Sequence, residues 1–570
     1  MSSSNGKHSG ATLNQILLRR LEDEPQAEAC RLINGDGSVV SVTVHSLMSR
    51  AMAYAESFGP ATRERKIIAI CLYHSIDLHA AFLGALWAGH IPTMLAPPSP
   101  RMEPAKYTNS FCRMLQHLRP SFVVLDHAAA ERLDRLSLDE FAASTLIDPL
   151  AVRPAGFIAP HEGHADEVAV LQHSSGTTGL QKGVALSHRA IVNHNRAYLT
   201  RLELTGDDRI ISWLPLYHDM GFVACFLLPL LERIPFVELS PFDWVTRPVS
   251  LLEQIHRQHA TVCWMPNFGF QFLADTVRPS QLSGDLDLGS MRAWVNCSEP
   301  VHHAAHQVFF DRFNPYGVRW DQFTASYAMA ENVFAVSQSV PGQYRVLKIN
   351  RDAFARDHHA IPDDSDDAIE LVSNGRAVAG TEIAVIDDDG QPLPDNHVGE
   401  LALRGDYRFS GYFRRDDLTR ESLTDAGYYR TGDLGFRSGG EIFVTGRRKD
   451  LIIIQGRNFY PADVERIVSE VAGVTAGRVV VFGLPLEKTG TEGLVVLAES
   501  IDYAGEQGKQ LALRIRNRVA QELDCTPFDV RVVPPRWLIK STAGKLARND
   551  NRNKYLESFM QEDQPSPAYV

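Results

Sequence analysis

His173-Ser174-Ser175-Gly176-Thr177-Thr178-Gly179-Leu180-Gln181-Lys182-Gly183 follows directly on the apolar run EVAVLQ (167–172). A short apolar run of this kind reads as a buried strand. The small residues after it let backbone N–H groups approach an anion closely, hydroxyls add donors, and a lysine adds positive charge. That combination suits a triphosphate. It is not a Walker A loop, because Gln181 stands where that motif needs its second glycine. A flexible Ser/Gly-rich turn is the other reading of the same residues.

The texture around this junction repeats in both directions. IIAICL (67–72), RIISWL (209–214), TVCWM (261–265) and RAWVN (292–296) are further strand candidates, and amphipathic stretches such as DLHAAFLGALWAG, ending at Gly89, lie between them. Apolar strands alternating with helices predict an α/β fold: a large N-terminal domain of mostly parallel sheets flanked by helices. After Glu331 the composition turns β-rich, with TEIAVID, a DDDG turn and GELALRG marking a subdomain over about 370–446. Residues 355–367 (ARDHHAIPDDSDD) read as a polar loop or insertion. From 451 to 570 the strands LIIIQG, VVVFGL and GLVVLAE alternate with PADVERIVSEVAG and GKQLALRIRNRVAQEL, a small α+β C-terminal domain. The expected division is 1–446, a hinge at 447–450, and a mobile lid at 451–570, whose tail QEDQPSPAYV reads as disordered.

Bulk properties exclude several function classes. The chain has 570 residues, enough for about three or four domain-sized units. Its formal net charge of −12 repels phosphate backbones, so no general nucleic-acid binding is expected. Its seven cysteines are scattered and lack C-x-x-C spacing, which fits a reducing compartment and argues against a disulfide framework. The opening MSSSNGKHSGATLNQ has no apolar core, so no signal peptide is expected. The most apolar stretch, Gly221 to Leu231, is too short to span a bilayer, which takes about 18 residues or more. These points predict a cytoplasmic protein without integral membrane association.

Further motifs stand at strand ends: WLPLYHDMG (213–221), NCSEPV (296–301), SYAMAEN (326–332), YYRTGDLG (428–435), VTGRRKDLIIIQGRNFYPADVE (444–465) and KSTAGKLAR (540–548). Each alone reads equally well as a turn with surface charge. In this shared order they resemble the adenylate-forming superfamily of acyl-CoA synthetases, adenylation domains and luciferases. Within it the chain is most similar to the fatty acyl-AMP ligases. Tyr217-His218-Asp219-Met220-Gly221, the Asn296-x-x-Glu299-Pro300 element and Gly456-Arg457-Asn458-x-Tyr460-Pro461 carry that likeness. An insertion follows the Tyr…Glu motif in that branch, and 42 residues intervene here between Glu331 and Asn374-Gly375-Arg376, leaving room for one.

The resemblance implies a ligase with ATP and Mg²⁺ as cofactors. It would activate a fatty or related carboxylic acid to acyl-AMP, release pyrophosphate, and pass the acyl group to the phosphopantetheine thiol of a separate acyl carrier protein, in lipid or polyketide biosynthesis. The alternative is an acyl-CoA synthetase that uses CoA as the thiol. By the same resemblance, Ser174, Ser175, Gly176, Thr177, Thr178, Gly179 and Lys182 would hold the β- and γ-phosphates, and Thr178 and Glu331 the Mg²⁺. Tyr327 would lie against the adenine, and Asn296, Cys297 and Ser298 would line the base and acyl pocket. Asp433 and Arg447 would bind the ribose. Lys545 is the expected main catalytic side chain, assisted by Lys182, with His218 at the acyl/thiol junction and Lys449 as the hinge. Lys540, five residues before Lys545, reads as a surface lysine, and Lys545 itself is expected on an exposed loop.

Departures from the family pattern sharpen the expectation. Gln181 replaces a proline, His173 an expected Tyr or Thr, Ala328 a glycine, and Cys297-Ser298 a Gly-Ala pair. The last adds bulk to the pocket wall and predicts a shorter or more polar acyl group than a long fatty acid. His302-His303-x-x-His306 lacks the carboxylate of a zincin helix and reads as helix surface. DDSDD (363–367) lacks the glycine and glutamate of an EF-hand and reads as a solvated loop. LDLGSM (286–291) lacks the Asp-Ser pair of a phosphopantetheine attachment site. If the stretch 338–372 packs against the C-lobe side of the N-terminal domain, it should hinder lobe rotation or the CoA route. A third reading, a nucleotide sensor without chemistry, is opposed by the joint presence of Lys182, Glu331, Asp433, Arg447 and Lys545.

Overall fold

The protein is described from a computed structural model covering residues 10–98, 104–133, 144–173, 182–454, 457–486, 491–540 and 545–560. The phosphate-loop residues 174–181 and the tail 561–570 lie outside the described residues.

The apolar runs become the spine of a nine-stranded sheet. Its six inner strands are parallel, in the order Phe323–Ala328, Ala293–Asn296, Val262–Met265, Ile210–Ser212, Phe236–Leu239 and Glu28–Ile33. Antiparallel strands close both edges. Every residue of AWVN, VCWM, IIS and FVEL is buried, which is why these runs lack a polar alternation: helices cover both faces. A second, all-parallel sheet holds Ile91–Met94, Ile67–Cys71, Phe122–Leu125 and Thr145–Ile147. A third, antiparallel sheet joins Val168–His173 to Gly183–Ser187 and Gly411–Tyr412, so His173 and Gly183, on either side of residues 174–182, are ladder partners.

The β-rich subdomain is an antiparallel meander of Thr381–Ile386, Gly399–Gly405, Tyr429–Ser438 and Glu441–Arg447. Beyond it, Val479–Leu486, Thr491–Glu499 and Asp529–Val533 form a three-stranded sheet, packed with helices Pro461–Ser469, Gly505–Leu523 and Arg548–Phe559. Pro461 opens its helix at a position where a missing N–H costs nothing.

One local reading of the sequence is narrowed here: 355–357 end a helix, while 358–367 are loop as expected. A strand pair, Val346–Ile349 with Ile369–Val372, encloses the helix Arg351–Asp357, whose N-cap is the Asn350 side chain just upstream of the polar run. The apolar stretch that begins near Gly221 is a wide π-helix, Met220–Leu227, continuing as Leu228–Leu231 and wholly buried. Gly221 makes it possible: a Cβ there would sit 2.4 Å from the Pro215 carbonyl oxygen. Among the described residues no helix is long and apolar enough to cross a membrane.

Candidate active site

The residues expected to line the pocket stand where strand Ala293–Asn296 ends. Cys297 still donates its N–H to the Met265 carbonyl (3.1 Å), and the chain then turns at Ser298 with φ +74°. A non-glycine residue in that region is strained, and such strain persists only where the surroundings fix it. The Glu299 carboxylate supplies part of that fixing by accepting the Phe268 N–H at 3.0 Å. The turn leaves the Ser298 carbonyl oxygen free to accept the Lys545 ammonium, delivered from the C-terminal lobe. Lys545 is therefore half-buried at the junction of the lobes rather than on an exposed loop. Lys540 is at the same junction, its ammonium 5.3 Å from the centre of the Phe268 ring, and is not a plain surface lysine.

Beside this contact stands a charged group that the sequence reading left without a role. The Asp219 carboxylate caps the π-helix through Met220 N–H (2.8 Å) and lies 2.8 Å from His218 Nδ1. Burial alone would raise the Asp219 carboxyl, but His218 and then Lys545 outweigh it and hold it below its usual range. The neighbouring Cys297 thiol is pushed up to about 12 by burial and by Asp219, so it is a neutral group.

The histidines 302–306 are the clearest correction. His306 is fully buried, with its ring 4.9 Å from both Phe270 and Phe323. Burial pushes it down to about 3, so it is neutral. Its Nε2 then accepts from Asn296 Nδ2 at 2.9 Å, which leaves Nδ1–H to donate to the Tyr344 hydroxyl at 2.9 Å. Asn296 also donates to Asn267 Oδ1 (3.1 Å), while its own Oδ1 is buried with no hydrogen-bond partner among the described residues. The helix surface expected from the sequence is thus a polar seam beneath the end of strand Ala293–Asn296. Among the described residues no cluster of His, Cys, Asp or Glu could hold a metal ion.

At the far end of the site, Asp433 and Arg447 are directly paired on neighbouring strands, Nε to Oδ1 at 3.2 Å. The Tyr327 hydroxyl donates to Asp433 Oδ2 at 2.7 Å. Burial raises the Asp433 carboxyl against the opposing pull of Arg447 and Tyr327. Tyr327 and Asp433, 106 positions apart in sequence, are thereby brought together.

Glu331 sits in a tight turn followed by Val333 at φ +66°. Its carboxyl is raised by burial, opposed by the Tyr412 hydroxyl, which donates to Oε1 at 2.8 Å. The Lys182 ammonium lies 4.5 Å from the centre of the same Tyr412 ring. A single buried carboxylate oxygen donor fits Mg²⁺, a hard cation that takes one or two carboxylates and completes its shell with waters and phosphates.

The two lobes meet a second time away from the pocket. Phe354 of the insertion packs on Tyr460 with ring centroids 5.2 Å apart, and Asn458 Nδ2 donates to His358 Nε2 (2.8 Å) and the Ala355 carbonyl (3.3 Å). Ile349, Phe354, Ile369, Phe436 and Tyr460 share one apolar cluster with Leu451 at its edge. Lys449 lies in the turn Arg448–Asp450, and its flanks are tied down on both sides: Arg448 to Glu400 (3.2 Å) and Asp450 to Arg548 (2.7 Å).

Sequence reasoning missed Asp219, Tyr412 and His306. Asp219 stood inside a quoted motif, but its neighbour His218 drew the chemistry. Tyr412 had no local signal, since Glu331, which accepts from its hydroxyl, is 81 positions away.

A parallel-sheet lobe joined by a small α+β lobe that presents Lys545 to the Ser298 carbonyl is the architecture of the adenylate-forming ligases. The chain belongs to the AMP-binding enzyme family, whose model matches residues 17–413. It is 29% identical over 577 residues to the medium-chain-fatty-acid–[acyl-carrier-protein] ligase JamA of Moorena producens, covering 97% of this chain and 96% of that one. It is 32% identical over 499 residues to a Caulobacter vibrioides protein provisionally described as an acyl-CoA synthetase, covering 84% of each. Its fold matches a solved structure from a study of the fatty acyl-adenylate ligases of E. coli and L. pneumophila, with a TM-score of 0.88 at 24% identity, over 96% of this chain and 98% of that one.

Proposed function

We propose that the protein is a fatty acyl-AMP ligase that charges a separate acyl carrier protein. In the first step a carboxylate oxygen bonds to the α-phosphorus of ATP, the α–β phosphoanhydride bond breaks, and pyrophosphate leaves with the electron pair. Two anions must be brought together, so positioning and positive charge supply most of the acceleration. Lys545 has the reach and the point charge to bridge the incoming carboxylate and the α-phosphate, with Ser298 as its seat at rest. Lys182 and the loop 174–179 hold the β- and γ-phosphates. Asp433 and Arg447 take the ribose, Tyr327 lies against the base, and Asn296, Cys297 and Ser298 line the pocket. Thr178 and Glu331 would hold Mg²⁺, which supplies neutralising charge at the phosphates.

In the second step a phosphopantetheine thiol gives up its proton to solvent and bonds to the acyl carbon, and AMP leaves, carrying the electron pair of the broken C–O bond. The chain divides for this purpose into 1–446, the hinge 447–450 around Lys449, and the lid 451–570, which must swing to withdraw Lys545. His218 stands at the resulting acyl/thiol junction. A reducing cytoplasmic setting suits seven buried free thiols.

The observation that carries this reading over an acyl-CoA synthetase is the grip of the insertion on the lid, through Phe354 on Tyr460 and His358 on Asn458. A lid restrained in the lysine-in position disfavours the open route a small free thiol would need. A tethered carrier can offset that restraint with its own docking energy. JamA, named as a medium-chain-fatty-acid–[acyl-carrier-protein] ligase, points the same way. The neutral Cys297 thiol and Ser298 narrow the wall, which favours a short, medium or polar acyl chain. The test is to incubate enzyme, ATP and Mg²⁺ with a panel of acids and either CoA or holo carrier protein. Thioester on the carrier and little on CoA supports the reading. Robust acyl-CoA formation would overturn it, and turnover peaking at fourteen carbons or more would overturn the chain-length reading.

A further inference from the structure

We infer that Tyr412 is a positioning residue that sets the phosphate lysine Lys182 and the carboxylate Glu331 in register before nucleotide arrives. This rests on the proposed function and assigns a role to a residue outside the motifs that suggested it. Three independent contacts meet at Tyr412. Its hydroxyl donates to Glu331 Oε1 at 2.8 Å and lies 3.0 Å from the Tyr429 hydroxyl, and its ring face receives the Lys182 ammonium at 4.5 Å. Its ring is fixed from the side by Phe409, edge-on at 4.8 Å.

The backbone around Tyr412 ties the same two groups together. Strand Gly411–Tyr412 is the third strand of the phosphate-loop sheet, with Tyr412 paired to Val184. Phe413 N–H donates to the Gly183 carbonyl (2.8 Å), next to Lys182, and Phe409 N–H donates to the Glu331 carbonyl (2.9 Å). Five consecutive residues therefore fasten the end of the phosphate loop to the turn that carries Glu331. Tyr412 completes the bridge with its side chain. It occupies one oxygen of Glu331, which fixes the carboxylate plane, and it offers Lys182 a resting place over a ring rather than on Glu331 itself. Without that arrangement Lys182 and Glu331, of opposite charge, could pair directly and both be withdrawn from Mg·ATP.

The two functions of the side chain can be separated. Tyr412→Phe keeps the ring and removes the hydroxyl. Tyr412→Leu removes both. Partners that orient a metal-binding group are worth roughly tenfold or more in metal affinity, and a cation that stays partly solvated over a ring, as half-buried Lys182 does over Tyr412, is worth about two- to fivefold in binding. We expect Mn²⁺ binding in the presence of ATP, followed by electron paramagnetic resonance, to weaken about tenfold in Tyr412→Phe. The ATP dissociation constant from calorimetry should change little in that variant. In Tyr412→Leu, Mn²⁺ binding should weaken equally and ATP binding by a further two- to fivefold or so.

Thermal unfolding of each variant separates these effects from a general loss of packing, which would lower the melting temperature and weaken both ligands together. Unchanged Mn²⁺ binding in both variants, or equal weakening of both ligands in Tyr412→Phe, overturns the inference. Wild-type enzyme that binds Mn·ATP yet gives no ATP–pyrophosphate exchange with any acid would overturn the proposed function and leave this binding test intact.

Discussion

If the proposed function holds, weakening the contact between insertion and lid should let the enzyme acylate CoA as well as a carrier protein. The contact has two parts whose worth can be estimated. The Phe354–Tyr460 ring pair, at 5.2 Å, contributes about 0.5–1.5 kcal/mol beyond its buried area. The two hydrogen bonds donated by Asn458, at 2.8 and 3.3 Å, contribute about 0.5–0.75 kcal/mol each, the low end for such bonds, since His358 is exposed and water can replace it. The double variant Phe354→Leu/Asn458→Ala keeps apolar bulk in the cluster and removes both specific contacts. It should shift the lid equilibrium by about 1.5–3 kcal/mol, a factor of roughly 10–150 toward the swung state. The assay is acyl-CoA formation from preformed acyl-AMP, beside ATP–pyrophosphate exchange on the same preparation. CoA-dependent transfer should rise at least about tenfold while exchange changes by less than about twofold, because neither residue touches the pocket. If CoA transfer stays at the wild-type level while limited proteolysis shows the lid loosened, the insertion does not exclude CoA and the reasoning fails.

Other consequences are open to direct measurement. Asp219→Asn removes the carboxylate that His218 and Lys545 share, and should lower exchange about 10–100-fold with a smaller change in the ATP KM; a wild-type rate would remove Asp219 from the site. Because the Asp219 carboxyl titrates below its usual range, its contribution should be present at neutral pH and fade only as pH falls through that lowered value, so acid loss of exchange should differ between wild type and Asp219→Asn. His173, His188, His194 and His306 are buried neutral, at about 4, 3, 4 and 3. The unfolded chain binds these protons near pH 6.5 and the native state does not, so stability should fall as pH drops below about 6.5, by about 1.4 kcal/mol per pH unit for each histidine. His306→Gln, which can still accept from Asn296, should flatten that slope by one histidine's worth; an unchanged slope would mean that His306 is protonated in the native state.

The strands were legible because parallel strands covered on both faces have to be apolar throughout, and IIAIC, VCWM and AWVN are. The ends of those strands were legible as chemistry because small, hydroxyl and charged residues cluster there. What stayed hidden depends on contacts distant in sequence. HHAAH reads as a helix surface until Phe270 and Phe323, from two other elements, close over His306. The insertion helix was missed because its cap, Asn350, lies outside the polar run it serves. The π-helix was missed because only the approach of Gly221 to the Pro215 carbonyl makes the wide turn fit. Tyr412 carried no signal because a tyrosine in a short strand is ordinary until Lys182 and Glu331 are seen on either side of it.

The account stands on a small lobe that brings an ammonium group to the reacting carboxyl. ATP–pyrophosphate exchange by Lys545→Ala, with a melting curve to show the fold retained, tests it most directly. A loss of about a hundredfold or more at an unchanged melting temperature is the predicted result, and exchange near the wild-type rate would contradict it.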